Sequence, residues 1–361
     1  YLLPLIKMLD SFTLKHTEIV IEDNSVNNEA YRTFISENIV ESLLVYHHTP
    51  YQLPIFQNID NGILHSHGEY VCVIGDDDAV TPLVENYVDW MCENRVDSVR
   101  QKTELTYKWP SYQEACVKGA TLTYSKVAEH SDVVDTETAL KEVIKSGIMT
   151  LGAMPCVYQG IVKRSTLNKL FNIGGTFFPG PSPDMANATS LCFVVKKHCV
   201  TEIPLFISGG SEFQGGKNVK IRKMVQPLDK VPFISDEAKL KWDKRIPYFW
   251  CGHTVWPESG IKGLEYVGKQ SYLNGMDFDR LLSKCLYRGF EYHADILART
   301  NHKTKVVLLF IKFYIREHLA MVKRWWFKKW NIAPLGSKRI NNLMTIEAAI
   351  NYLLKEYKKA I

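Results

Sequence analysis

The 361-residue sequence has no uninterrupted apolar run of about 20 residues, the length a helix needs to span a bilayer. It has no low-complexity tract and no internal repeat, so neither a solenoid nor a disordered linker is expected. Its eight cysteines form no C-x-x-C pair, which removes the simplest zinc and redox motifs. Several lie inside apolar runs such as Val71-Cys72-Val73, where a free thiol packs as a small hydrophobe. A reducing, cytoplasmic location follows as the expectation, with a peripheral place on the inner face of the plasma membrane left open. No secretory leader pattern is visible, and the first residue reads as mid-element sequence.

What is present is ordinary globular material, 46% hydrophobic and 23% charged, enough for one large α/β domain with an appendage or for two domains. The net charge of +5 hides an asymmetry. From Asn301 onward thirteen Lys and Arg face three acids, while the first 300 residues carry 31 basic and 36 acidic side chains. An acidic body with a basic tail points to an anionic surface as partner of the tail alone, and not to nucleic acid.

The first hundred residues alternate strand and helix. Thr17 to Glu22 reads as a buried parallel strand closed by Asp23-Asn24-Ser25, and Ser42 to Tyr46 as a second strand. A helix from about Ile55 to His67 leads into the strand Tyr70 to Ile74, which ends in Gly75-Asp76-Asp77-Asp78. Thr81-Pro82 then starts a helix running to about Glu93. This alternation predicts a doubly wound α/β sheet, in which ligands collect at the carboxyl ends of strands. Both acidic turns fall at such ends. Farther on, residues 100–135 give no clear assignment. Helices are expected near Thr138 to Lys145 and from Asp184 to Lys197, then a strand near Thr201 to Ile207.

Three consecutive aspartates after a buried strand repel one another unless something neutralises them, and a divalent cation takes hard oxygen ligands of this kind. A solvated acidic turn ahead of a helix is the plainer reading of the same residues. Asp184 follows Ser182 and Pro183, a good helix start, so its carboxylate also answers a helix dipole.

The run Asn58 to Asp78, NIDNGILHSHGEYVCVIGDDD, resembles family 2 glycosyltransferases of the GT-A fold, in which a helix leads into a strand closed by a D-x-D-type motif. Glu18 to Ser25 resembles the second strand of that fold, and Pro179 to Ala188 its later acidic motif. The likeness covers roughly residues 1–215. It implies a GT-A-like doubly wound mixed sheet with helices on both faces, followed by a mostly helical C-terminal extension. Residues 1–215 would form the catalytic domain, 216–300 a helical or irregular region completing the acceptor side, and 301–361 a basic aromatic tail. Asp23 and Asn24 would meet the nucleoside, Asp76 and Asp77 the ribose and diphosphate, and Asp78 with Asp76 a Mg²⁺ or Mn²⁺ ion. Asp184 would be the general base of an inverting, metal-dependent transfer. The donor would be a nucleotide-diphosphate sugar, and the acceptor a hydroxyl of a glycan or lipid-linked saccharide. The family's opening strand and Pro-x-Tyr-Asn loop are not seen before the helix near Tyr1, so either the sequence lacks its start or the fold is trimmed, and Pro183-Asp184 stands where many relatives have Glu-Asp.

Three further features keep two readings each. His253 is either a third metal ligand or a packed polar residue; His47-His48 and His65-x-His67 lack metal spacing and read as structural. The loop Ser208 to Lys217 either folds over the diphosphate, Lys217 offsetting its charge, or lies free on the surface. Over residues 305–330, Lys305, Lys312, Arg316 and Lys323 share one helix face, while Val307, Phe310, Ile311, Tyr314, Met321 and Trp325 gather opposite. That pattern suits a helix lying on an anionic bilayer, or one packed on the domain by its apolar face. A nucleotidyltransferase and a degenerate nucleotide- or glycan-binding scaffold are the competing functions.

Overall fold

The computed structural model describes residues 1–12, 14–38, 44–111, 119–211, 225–231, 234–329 and 336–360. The strands are β1 Ile19–Asp23, β2 Leu44–His48, β3 Tyr70–Val71, β4 Ala79–Val80, β5 Ser98–Gln101, β6 Leu105–Lys108, β7 Thr121–Tyr124, β8 Ser131–Val134, β9 Gly160–Lys163, β10 His198–Thr201 and β11 Phe206–Gly210, followed by the short strands Gln226–Pro227, Phe249–Trp250 and Lys338–Ile340. The helices are α1 Leu2–Asp10, α2 Glu29–Asn38, α3 Ile55–His65, α4 Leu83–Glu93, α5 Thr136–Lys145, α6 Arg164–Gly174, α7 Pro183–Leu191, α8 Asp236–Leu240, α9 Gly252–Tyr266, α10 Phe278–Arg288, α11 His293–Ala298, α12 Lys303–Lys329 and α13 Ile346–Lys358.

The architecture is mixed α/β. β1 and β2 pair in parallel. A five-stranded sheet runs β3-β9-β5-β10-β8, with only β5 and β10 parallel. A second runs from Lys338–Ile340 through β7, β6 and β11 to β4, with only β6 and β11 parallel. Segment 100–135, unassigned from sequence, supplies β6, β7 and β8.

The expected Tyr70-to-Ile74 strand is only Tyr70–Val71 with a bridge at Val73, and two other predicted boundaries move for a local reason. The helix expected to reach Lys197 stops at Leu191. Beyond it the Asp97 carboxylate accepts the Lys196 and Lys197 N–H groups, turning the chain into β10. The expected Thr201-to-Ile207 strand is two strands, because Pro204 has no N–H for a ladder. Its carbonyl instead accepts the buried Thr81 hydroxyl at 2.7 Å.

After α12 the chain returns to the body. Lys338–Ile340 pairs with β7, the Leu343 carbonyl accepts the Tyr107 hydroxyl at 2.8 Å, and α13 buries Ala349, Ile350 and Leu353 in the core that α1 also lines. Among the described residues no helix is long and apolar enough to cross a membrane.

The closest helix packing is α7 against α9. A Cβ at Gly263 would meet Thr189 Oγ1 at 2.1 Å and the Ala186 carbonyl oxygen at 2.6 Å, so only glycine fits there. Buried Asn187 ties α7 to its surroundings: its Oδ1 accepts the Val157 N–H and its Nδ2 donates to the Phe177 carbonyl. These contacts fix the helix whose first turn carries Asp184.

Candidate active site

The three aspartates, identical in sequence, meet three different fates. Asp76 is exposed. Asp78, only 3% exposed, is fully engaged: Oδ1 accepts the Gly209 N–H at 2.8 Å, and Oδ2 accepts the Gly75 N–H at 3.0 Å and the Tyr158 hydroxyl at 2.6 Å. Asp77 is buried between them, and its Oδ2 has no hydrogen-bond partner among the described residues. Burial pushes the Asp77 carboxyl up, Ser211 opposes by hydrogen bonding, and the charges of Asp78 and Asp76 push it further.

Backbone pairing explains the turn. Val73 bridges Tyr158 in parallel, with the Val73 N–H donating to Val157 O and the Gln159 N–H to Val73 O. The chain crossing there carries the Tyr158 hydroxyl onto Asp78. From the other side β11 comes so near that a Cβ at Gly209 would lie 1.7 Å from the Asp77 carbonyl oxygen. The Trp109 indole N–H donates to that same oxygen at 2.8 Å.

Tyr158, bonded to Asp78, also feels the charge of Asp184. Its hydroxyl pKa is pushed far up, first by burial, then by the charge of Asp78 and its hydrogen bond, then by Asp77 and Asp184. Asp184 stands in the first turn of α7, and its Oδ1 accepts from the Ser182 hydroxyl and from the Met185 N–H. Half-buried Arg100 feels the same carboxylate and donates to the Gly152 carbonyl. Sequence reasoning missed Tyr158 and Arg100, since neither belongs to a motif; a tyrosine two residues ahead of a strand start gives no local signal.

Asp23 closes β1, as expected, on the separate two-stranded unit. Its Oδ2 accepts the Tyr46 hydroxyl at 2.5 Å and its Oδ1 the Ser25 N–H at 2.8 Å. Burial raises its pKa, but these bonds outweigh burial and hold it below the usual aspartate value. Asn24 is half-buried in the same turn.

His253 begins α9 in a cationic setting: burial, then Arg288 and Lys284, lower its pKa to about 4. Pro257, four residues on, cannot donate to its carbonyl, which accepts the Cys285 thiol at 3.5 Å instead. Among the described residues no three-ligand group joins His253 to Asp76 or Asp78; the one group brought together is Glu22, His47 and His65. Parallel register sets Glu22 beside His47, and the last turn of α3 adds His65. The two imidazoles stack at 4.0 Å and His65 Nδ1 lies 2.5 Å from Glu22 Oε1, with Gly62 leaving room for the Glu22 stem. The triad clasps β1, β2 and α3 together. Lys217 lies outside the described residues, as does the loop beyond Ser211.

No family model matches the chain, and no curated protein matches it by sequence. Among solved structures it is similar to S. aureus TarS 1-349 in complex with UDP-GlcNAc, at 12% identity and a TM-score of 0.47, over 86% of this chain and 75% of that one. It is also similar to TarS 1-349 in complex with UDP, at 14% identity and a TM-score of 0.41, over 59% and 57% of the two chains. Likeness at this level leaves ligand and activity to be argued from this chain's own residues.

Proposed function

We propose that this chain is an inverting glycosyltransferase that takes a nucleotide-diphosphate sugar and transfers the sugar to a hydroxyl of a glycan or lipid-linked saccharide. The observation that carries the reading is the buried Asp77 Oδ2, without a hydrogen-bond partner among the described residues, on a strand-end turn whose Tyr158 also feels the charge of Asp184. A buried carboxylate oxygen without a donor is costly, and a divalent cation removes that cost. Asp77 with exposed Asp76 is the oxygen donor set that suits Mg²⁺ or Mn²⁺. When bound there, the ion supplies Lewis-acid stabilisation of a departing diphosphate. Asp78, with three donors on its two oxygens, holds the turn in place and is left out of the ligand set. So is His253, whose cationic neighbours disfavour another cation.

Asp23 at the end of β1 stays ionised and is suited to accept hydrogen bonds from a nucleoside. Asp184 is assigned as base. Its two local bonds fall on Oδ1, leaving Oδ2 to take the proton from the acceptor hydroxyl. As that O–H bond breaks, the acceptor oxygen bonds to the anomeric carbon and the bond from that carbon to the diphosphate breaks on the opposite face. No covalent enzyme intermediate is needed, and the products are the glycoside, the nucleoside diphosphate and protonated Asp184.

The test is calorimetric titration with UDP, GDP, CDP, TDP and CMP, with and without Mn²⁺. One diphosphate should bind tightly only with metal, and Asp77→Asn should remove the metal dependence. Asp184→Asn should keep that binding and lose sugar transfer by roughly 10²- to 10⁴-fold. Metal-independent binding, or none, would sink the reading.

A further inference from the structure

α12 is 27 residues long, about 40 Å at 1.5 Å per residue. It packs on α10 mainly through one face: Val306 is buried, Phe310 sits against the core, and Phe313 meets Tyr287 edge-on at 5.1 Å, with Tyr314 reaching the same ring at 6.0 Å. The opposite face is apolar and open. Leu308, Ile311, Ile315, Leu319, Val322 and Trp326 follow one another at steps of three or four, all exposed, Leu319 by 67%. Val307, Met321 and Trp325 widen this face, giving an exposed, mostly apolar arc of roughly 160° at 100° per residue, interrupted by half-buried His318. The apolar face read from sequence was therefore mostly not the buried one; of its six residues only Phe310 and, in part, Tyr314 pack inward.

The charge along α12 has one sign. Residues 303–329 hold eight Lys and Arg against Glu317 alone. Lys305, grouped by sequence with the basic stripe, is occupied by Asp279 at 2.7 Å. Lys312, Arg316 and Lys323 also line one edge of the apolar arc and are exposed, Arg316 lying 3.6 Å from Glu317.

We propose that this face of α12 docks the protein onto an anionic lipid surface, the helix lying in the plane of the headgroups. An apolar arc bordered by cations matches a bilayer that is apolar below and negative at its surface. A second copy fits less well, because pairing two α12 helices sets one net-positive helix against another. Eight cations forbid a spanning helix, so the helix lies on the membrane. α12 rests on α10, and α10 on α9, the helix packed against α7, whose first turn carries Asp184. Docking would therefore hold the base at a fixed height over the lipid, which suits a lipid-linked acceptor.

The experiment is flotation of the full chain with vesicles of phosphatidylcholine alone or mixed with phosphatidylglycerol. The wild type should float with the anionic vesicles and release in high salt. Replacing Lys312, Arg316 and Lys323 by serine should weaken anionic binding by roughly a hundred-fold. Ile315→Glu with Leu319→Glu should abolish it while leaving circular dichroism and nucleotide binding unchanged, which separates failed docking from failed folding and from failure of the transferase reading. Equal flotation with neutral vesicles would overturn the proposal. So would an oligomer that the double variant converts to monomer while vesicle binding is absent.

Discussion

Asp77 and Asp78 are adjacent and chemically identical, yet their substitutions should do opposite things. Asp78→Asn turns an acceptor of three hydrogen bonds into a side chain whose amide faces donors. It should cost about 2 kcal/mol in urea unfolding, and Tyr158→Phe, which removes one donor to a charged group, a similar amount. Asp77→Asn in metal-free protein should be neutral or stabilising, because it discharges a buried carboxylate whose Oδ2 has no donor among the described residues. Equal destabilisation by the two would show that Asp77 is also held by the fold. The sequence could mark the turn as acidic and strand-terminal but could not rank its members. The ranking comes from Gly209 and Tyr158, 131 and 80 residues away, and no local pattern encodes their approach. The same limit hid the Glu22–His47–His65 clasp, which exists only once β1, β2 and α3 are assembled.

The legible elements were those whose signal is local. β1, α3, α4 and α5 stand close to where periodicity and turn residues put them, because an apolar run ended by Asp-Asn or a capped helix needs no distant partner. The helix at Asp184 began where Ser182 and Pro183 said it should, but its end was set by Asp97 on another element. The joint between α7 and α9 was illegible for the same reason. It rests on Gly263, which in sequence looks like a poor choice for a helix interior. Gly263→Ala should lower stability by about 1–3 kcal/mol, since Ala186 O and Thr189 Oγ1 leave no room for the methyl group. Gly252→Ala, in the first turn of the same helix with nothing within 4 Å of the added carbon, should instead be neutral or gain about 0.5 kcal/mol. Chemical denaturation of the pair separates close packing from helix propensity. A neutral Gly263→Ala would mean that α9 can slide away from α7.

At the scale of the whole molecule, buried titratable groups oppose one another across mildly acid pH. His198 is buried and neutral, its pKa lowered to about 4 chiefly by burial, with a hydroxyl at Ser98 and the Ala153 carbonyl as ring partners. His253 is lowered to about 4 as well. Between pH 6.5 and 4 the unfolded chain therefore binds protons at these sites that the folded chain does not, so each makes stability fall as pH falls, by up to about 1.4 kcal/mol per pH unit. Glu258 works the other way. Burial raises its pKa to about 7, so from about pH 4.5 to 7 the folded chain holds a proton that the unfolded chain has lost, and stability falls as pH rises. Asp60 and Asp77, also raised by burial, act in Glu258's direction nearer the acid end. The two histidines should outweigh Glu258 between pH 5 and 6, leaving a net loss of stability toward acid. Glu258→Gln removes the opposing slope and should steepen that acid limb; His198→Asn should flatten it. Urea unfolding at pH 5.0, 5.5 and 6.0 measures both slopes, and a Glu258→Gln limb no steeper than wild type would mean that Lys262, 3.6 Å away, keeps Glu258 ionised in the fold.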